Sequence, residues 1–344
     1  MAELPTRAFV TRRGRKLDFT ALGLGTAPLG NMHRALGEDE VAGTLGAAWN
    51  AGVRYFDTAP LYGHSLAELR LGRLLRGKPR GDYLLSTKVG RLLEPCAADK
   101  TGSGIYKATP PLRVRFDYSY GGVMRSYEAS LERLGVDRVD VLFVHDVDAR
   151  THGGRAQSEA RLRELIDEGG WQALDELRAA GDVQAIGAGV NEWEPCARLL
   201  ELADPDLFLL AGRYTLLEQA PLDTLFPKCV ARGVGIVVGG PFNSGVLAGK
   251  PSYDYDTVPA EIAQRVRRLN ETCRRWDSTL PHAALQFPLA HPAVTCVLAG
   301  AQSADEVRAN AAMIASPVPA PLWEDLRASS LIARHAQTPE ARAC

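Results

Sequence analysis

At 344 residues, 46% of them hydrophobic and 24% charged, the chain has ordinary globular composition and enough apolar material for a large core. A formal net charge of −1 leaves no electrostatic footprint for nucleic acid or an anionic membrane, so neither is expected as a partner. Cys96, Cys196, Cys229, Cys273, Cys296 and Cys344 include no C-x-x-C pair, so reduced thiols and a cytoplasmic location are expected. In chain order, Met1–Arg15 is polar and basic with no apolar centre, and no signal peptide is expected there; no later apolar run approaches membrane-spanning length. Phe9–Phe19 reads as a hairpin closing a barrel floor. Strand Ala21–Gly25 then precedes helix Glu38–Asn50, and strand Val53–Asp57 precedes helix Leu66–Leu75. Strands Tyr83–Val89 and Val139–His145 lead to helices Val123–Leu134 and Trp171–Ala180. Strand Val183–Gly189 comes next, followed by strand Leu207–Ala211 with helix Pro221–Ala231. Strand Gly235–Val238 precedes helix Val258–Trp276, and strand Thr295–Ala299 precedes helix Ser303–Ala312.

Strands that are apolar on both faces and alternate with helices require a parallel sheet covered all round. About eight such units predict a closed (β/α)₈ TIM barrel of the α/β class, one domain over residues 1–344 with its core at about 17–332. Two connections exceed ordinary loop length: Arg91–Gly122, rich in Gly, Pro and Lys, and Asp146–Gly170. Both follow strands, which puts them on the catalytic face of a barrel. The tail after Ile332 reads as loose or as a lid. No heptad pattern defines an oligomer.

Three successive predicted strands end in ionisable residues: Asp57, Lys88 near the end of its strand, and His145. Tyr62 lies five positions beyond Asp57, in the loop of the same mouth. Any one of them alone fits a structural role, such as a buried Asp57–Lys88 ion pair; convergence on one rim points to chemistry. A tyrosine of pKa about 10 is a poor base near neutrality. Lowering that value by about 3 takes roughly 4 kcal/mol, which a desolvated Lys88 cation held by Asp57 is expected to supply. His145 would orient the reacting oxygen, and the set suits proton transfer coupled to hydride transfer.

GVRYFDTAPLYGHSLAELRLG (Gly52–Gly72), STKVG and LFVHD resemble the signature, lysine and histidine segments of the aldo-keto reductases. The resemblance runs in order from about Leu22 to Asn310. It implies Tyr62 as acid/base, Lys88 and Asp57 as its tuners, His145 as the substrate-orienting group, and a nicotinamide cofactor. It also places Gly25, Thr26 and Asp57 against that cofactor and Asn191 on its carboxamide. GGPFNSG, with Gly240, Pro241, Phe242, Ser244 and Gly245, is similar to the family's pyrophosphate loop, where glycine turns bring backbone N–H groups close to phosphate. GLGTAPLG is no Rossmann fingerprint, since Pro28 stands where the third glycine is required. Gly300–Asn310 resembles the adenosine-binding segment, and Asn310 is its expected asparagine. NADP-using members carry Arg or Lys where this chain has Gln302 and Glu306. A carboxylate repels a 2′-phosphate but accepts from a free 2′-hydroxyl, so NAD is expected over NADP, with Arg308 as the one residue that would admit NADP. Gly239 stands where many members stack an aromatic ring on the nicotinamide.

FDYSYGGVMRSYEASLERLGVDRVD, HDVD and EGGWQAL are similar to one branch of the family. That branch includes D-threo-aldose 1-dehydrogenases, also called L-fucose or L-galactose dehydrogenases, and pyridoxal 4-dehydrogenase relatives. The expected reaction is oxidation of a ring hemiacetal to its lactone. Tyr62 and His145 meet the reacting centre, and Tyr118, Tyr120, Asp146 and Asp148 are the candidates for binding further hydroxyls. Three other readings compete. One is a metal site from His145, Asp146, Asp148 and His152, although no metal is expected because no ligand spacing is recognisable. The others are a Schiff-base lyase on Lys88 and a non-catalytic nicotinamide-binding subunit.

Overall fold

The computed structural model describes residues 4–340, and Cys344 lies outside the described residues. Twelve strands are present: β1 (Thr6–Val10), β2 (Lys16–Thr20), β3 (Leu22–Gly25), β4 (Tyr55–Asp57), β5 (Leu84–Val89), β6 (Arg91–Pro95), β7 (Leu112–Phe116), β8 (Val141–His145), β9 (Ala185–Val190), β10 (Leu207–Ala211), β11 (Gly235–Gly239) and β12 (Val294–Gly300). Eight of them close into a barrel in the order β3-β4-β5-β8-β9-β10-β11-β12. Every pairing in it is parallel, with β12 returning to β3. Helices cover the outside, so each strand buries both faces. Its alternating side chains sort into two sets by the two-residue period of a strand. Tyr55, Val141, Phe143, Leu207, Leu209, Val237 and Cys296 fill the interior. Their neighbours Phe56, Leu142, Val144, Phe208, Leu210, Ile236 and Val238 pack under the helices.

The antiparallel pair β1–β2 forms the expected floor, with Leu17 and Phe19 inserted into the interior cluster. Five of the eight barrel strands begin one or two residues later than their apolar runs, two begin with them, and β12 begins one residue earlier. Asp140, just before β8, donates its backbone N–H to Leu85 O and accepts from Ala185 N, while its carboxylate accepts from Leu85 N, Arg80 and Gln184. Both long connections contain regular structure that the apolar period does not reveal. The first holds the antiparallel hairpin β6–β7. The second holds helices Ala149–His152 and Arg155–Asp167; the latter buries only Ser158, Leu162 and Leu165, too few for a readable apolar stripe. The stretch after Ile332 is neither loose nor a lid as far as residue 340. Arg327, on the outer helix Ala320–Ala328, donates to Ala336 O and Thr338 Oγ1, and Ala333 N donates to Gln219. No helix among the described residues is long and apolar enough to cross a membrane.

Candidate active site

Asp57, Lys88 and His145 sit at or beside the C-terminal ends of β4, β5 and β8, and the fold brings all four predicted catalytic residues together. Lys88 Nζ donates to Asp57 Oδ2 at 2.6 Å and to Thr58 O at 2.9 Å, with both charged side chains almost wholly buried. Ser86 Oγ donates to the other carboxylate oxygen at 2.7 Å. The same ammonium stands 4.7 Å from the centre of the Tyr62 ring. Tyr62 meets His145 edge to face, centroids 5.7 Å apart and planes at 89°. Tyr62 is delivered by a tight turn. Gly63 is left-handed, and its backbone lies so close to Gly30 that an added Cβ would fall 2.3 Å from Gly30 O. Only glycine permits that approach, which pins the tyrosine backbone to the loop after β3. On β9, Gly189 leaves the space that the Lys88 side chain occupies, where an added Cβ would sit 3.1 Å from Cε.

The electrostatics differ from expectation at Tyr62. Burial pushes its hydroxyl well above the usual value near 10, and the Asp57 carboxylate adds to the rise. The two Lys88 hydrogen bonds that the structure shows go to Asp57 and Thr58, so the lysine does not produce a resting phenolate. The Tyr62 hydroxyl is therefore neutral at pH 7. Burial, with the Arg91 and Lys88 cations, holds His145 well below its ordinary range, so the imidazole is neutral as well.

The proposed substrate residues separate. Asp146 joins the site: Arg91 donates to its Oδ2, His145 Nε2 lies 3.3 Å from the same oxygen, and Asn191 Nδ2 donates to Oδ1 at 2.9 Å. Burial raises this carboxyl to about 6. Asp148 does not face a substrate: its oxygens accept from the backbone N–H of Thr151 and Asn191, capping helix Ala149–His152. Tyr118 is fully buried and donates to His145 O, bracing the strand end from behind. Tyr120 lies exposed at the start of helix Tyr120–Leu134 and donates to Glu176 on helix Gly170–Ala180. Among the described residues, no three His, Cys, Asp or Glu side chains converge as metal ligands, so the His145, Asp146, Asp148 and His152 reading is not assembled.

Three residues at the mouth escaped the sequence reading. Arg91 is one step past Gly90, the left-handed residue ending β5, and the strand-end rule that singled out Lys88 extends to it. Tyr106 is buried with its ring 6.5 Å from that of Tyr62. Tyr255, on the connection after β11, donates its backbone N–H to Ser244 Oγ and carries the Arg150 guanidinium 5.6 Å from its ring centre. The last two lie in Gly- and Asp-rich loops with no local pattern to mark them.

Beside this cluster, the ends of β11, β12 and β3 form a surface cleared of side chains at Gly239, Gly300 and Gly25. Gly240, Asn243, Ser244 and Gly245 all have positive φ, and the cluster of left-handed residues makes a concave backbone turn of the kind that cradles phosphates. Pro241 and Phe242 lie within it, Phe242 half-buried. Thr26 Oγ1 donates to Asp57 O at 2.9 Å, tying the end of β3 to that of β4. Gln302 Nε2 donates to Met32 O at 2.9 Å, tying this segment to the loop after β3. Glu306 accepts from Gln302 N at 2.8 Å and from Lys250 Nζ at 2.9 Å, joining helix Ala304–Ala315 to the β11 connection. Asn310 is buried on that helix, whereas Arg308 pairs with Asp305 at the exposed surface. A backbone cradle, a capped helix start and glycine-cleared strand ends fit a dinucleotide. By contrast, a cavity of about 550 Å³ at the barrel floor, between the hairpin and the starts of β11 and β12, includes none of these groups.

Comparison with known proteins agrees with this geometry. The family model described as "Aldo/keto reductase family" matches residues 21–330. The chain is 42% identical over 332 residues to a pyridoxal 4-dehydrogenase of Microbacterium luteolum, covering 92% of this chain and 95% of that protein. It is 40% identical over 326 residues to a D-threo-aldose 1-dehydrogenase of a Pseudomonas species, with the same coverages. Among solved structures, the holo form of an aldo-keto reductase from Bacillus halodurans superposes with a TM-score of 0.75 at 26% identity, covering 98% of this chain and 99% of that one.

Proposed function

This chain belongs to the aldo/keto reductase family of oxidoreductases, and we propose that it oxidises the ring hemiacetal of a small aldose to its lactone with NAD as hydride acceptor. The whole chain is read as one barrel domain serving that reaction. The observation that carries the proposal is the placing of Tyr62 between the buried Lys88–Asp57 pair and the neutral imidazole of His145. The 40% identity to a D-threo-aldose 1-dehydrogenase supplies the substrate class.

NAD, when bound, supplies the hydride acceptor and, through its cationic ring, an electrostatic pull towards the Tyr62 phenolate. The residues of the chain handle the proton. In the reductive direction Tyr62 Oη gives its proton to the carbonyl oxygen. In the oxidative direction ionised Tyr62 takes the proton of the anomeric hydroxyl as hydride leaves the anomeric carbon. His145, neutral and beside the Tyr62 ring, donates from Nε2 to the reacting oxygen and fixes its orientation. Asp57 keeps Lys88 in place behind the tyrosine, where the ammonium favours the phenolate once it forms. NAD is favoured over NADP because Glu306 stands in the adenosine-side segment, while Arg308 is engaged by Asp305 on the exposed side.

Reduction of NAD or NADP, followed by absorbance with L-fucose, D-arabinose, L-galactose, L-glucose and pyridoxal, tests the proposal. Rapid NAD reduction with one of the sugars supports it. Silence with every sugar, with both cofactors, refutes the aldose assignment. Pyridoxal is the second reading, favoured by the relative at 42% identity and by the aromatic Tyr106 beside Tyr62; turnover of pyridoxal alone selects it.

A further inference from the structure

We infer that Asp146 is a positioning residue: one buried carboxylate, neutralised by Arg91, holds His145 as an Nε2–H donor and locks the side-chain amide of Asn191. The inference rests on the proposed roles of His145 at the substrate and Asn191 at the cofactor.

Asp146 follows His145 directly and has φ of 45°, a left-handed conformation that a non-glycine residue holds only when its surroundings fix it. Its backbone N–H is retained by Gly189 O. Its Oδ1 accepts from Asn191 Nδ2 at 2.9 Å, and its Oδ2 accepts from Arg91 while facing His145 Nε2 at 3.3 Å. The His145–Asp146 pair is a charge contact and not a hydrogen bond, so the anion favours the imidazole proton on Nε2 while leaving that N–H free for the reacting oxygen. The other ring nitrogen agrees: His145 Nδ1 is buried with no hydrogen-bond partner, and a proton there would be an orphaned donor. With its N–H turned to Asp146, the Asn191 amide offers its oxygen, the acceptor that an amide NH₂ on a ligand needs.

Arg91 is placed by the base of the β6–β7 hairpin, where it pairs with Phe116 and lays its guanidinium 5.0 Å from that ring. The charged and titratable groups around His145 are Lys88 and Arg91 from β5 and its extension, Asp146 beside it, and Tyr62 from the loop after β4. Without Arg91, Asp146, which burial already raises to about 6, would protonate near neutrality, because the carboxyl takes a proton before an imidazole that burial holds well below its ordinary range. The neutral carboxyl would then no longer favour the proton on His145 Nε2 and would weaken its hold on the Asn191 amide. Arg91 thus keeps Asp146 an anion from the first residue of β6.

The test is ¹⁵N NMR of protein labelled in its histidine rings, with the His145 resonances assigned by their loss in His145→Asn. The wild type is expected to show a neutral Nε2–H tautomer from pH 7 to 8, above the value of about 6 to which burial raises Asp146. In Arg91→Met the Asp146 carboxyl should protonate within that range and move the Nε2–H resonance towards its position in Asp146→Asn, and Arg91→Lys should restore the wild-type resonance. Asp146→Asn, nearly isosteric, should shift the Nε2–H resonance and reduce kcat about ten- to a hundredfold, the rate equivalent of one charge-assisted hydrogen bond. It should also weaken NAD binding in the same variant, because the Asn191 amide is released. An Nε2–H resonance unmoved in Arg91→Met overturns the inference, as does a wild-type proton on Nδ1. If Arg91→Met does not fold, an unchanged Nε2–H resonance in Asp146→Asn overturns it equally. The NMR readout needs no substrate, so an enzyme inactive on every aldose would refute the proposed function and leave this result standing.

Discussion

Replacing Lys88 by Met removes a cation from one of the driest places in the barrel and leaves its partner behind. Lys88 and Asp57 have side-chain exposures of 1% and 2% and are joined by a 2.6 Å ion pair. Breaking such a pair from one side costs about 3–5 kcal/mol, because the remaining charge is stranded without solvent. Ser86 still donates to Asp57 Oδ1, which softens the loss without neutralising the carboxylate. Burial already raises the Asp57 pKa, with Lys88 as the chief opposing influence, so the variant carries Asp57 higher still. An acid whose folded pKa exceeds its unfolded value of about 3.9 makes the folded state bind more protons. Stability from that proton is present at low pH and is lost as pH rises through the folded pKa. The Lys88→Met penalty should therefore be larger at pH 8 than at pH 5, and Asp57→Asn in the same chain should recover part of it. Urea unfolding followed by tryptophan fluorescence at the two pH values measures both differences. A variant within about 1 kcal/mol of wild type at pH 8 would refute the argument, as would a penalty that grows on acidification.

Other outcomes follow from the same geometry. Tyr62→Phe should lower kcat at least about a hundredfold while leaving NAD affinity, titrated by fluorescence, nearly intact; near-normal turnover removes Tyr62 from the mechanism. Because burial holds the Tyr62 hydroxyl above its ordinary value, wild-type oxidation should climb with pH from neutrality into the alkaline range, and a rate that falls there contradicts a phenolate acceptor. Glu306→Arg removes an anion tied to Lys250 and supplies a partner for a 2′-phosphate, so the NADP-to-NAD ratio of kcat/KM should rise about tenfold or more; an unmoved ratio places the adenosine end elsewhere. His291 is pushed down from 6.5 to about 4 by burial, so the unfolded chain protonates first and stability is lost as pH falls from about 6.5 towards 4. His291→Gln should flatten that slope in urea titrations, and an unchanged slope would assign it to other groups.

The barrel and the clustering of Asp57, Lys88, His145 and Tyr62 at its mouth were legible in the sequence because both follow from short-range regularities. A strand buried on both faces is an apolar run wherever it lies, and a parallel barrel sends the end of each such run to one mouth. Asp57, Lys88 and His145 needed no knowledge of the loops, and Tyr62 came with a turn whose glycine admits the contact with Gly30. The substrate residues fared differently because a hydroxyl or carboxylate in a long connection has no fixed direction until the connection packs. Tyr118 and Asp148 were taken as ligand groups; once the segment folds into short helices, their polar atoms satisfy the backbone of that same rim. Tyr120 went to an outer helix pair.

By itself, then, the sequence determined the barrel, its floor hairpin, the meeting of four residues at the mouth and the glycine-rich turn after β11, read from period, order and residue type. Only the tertiary structure decided which charges are neighbours and how dry they are. Tyr62 is a neutral acid and not a resting phenolate because burial outweighs a cation whose shown hydrogen bonds go to Asp57 and Thr58. Arg91 reaches Asp146, 55 residues away, because β5 and β8 are neighbours in the barrel and both end at the same mouth. Ionisation depends on distance and solvent exclusion, and a linear pattern carries neither.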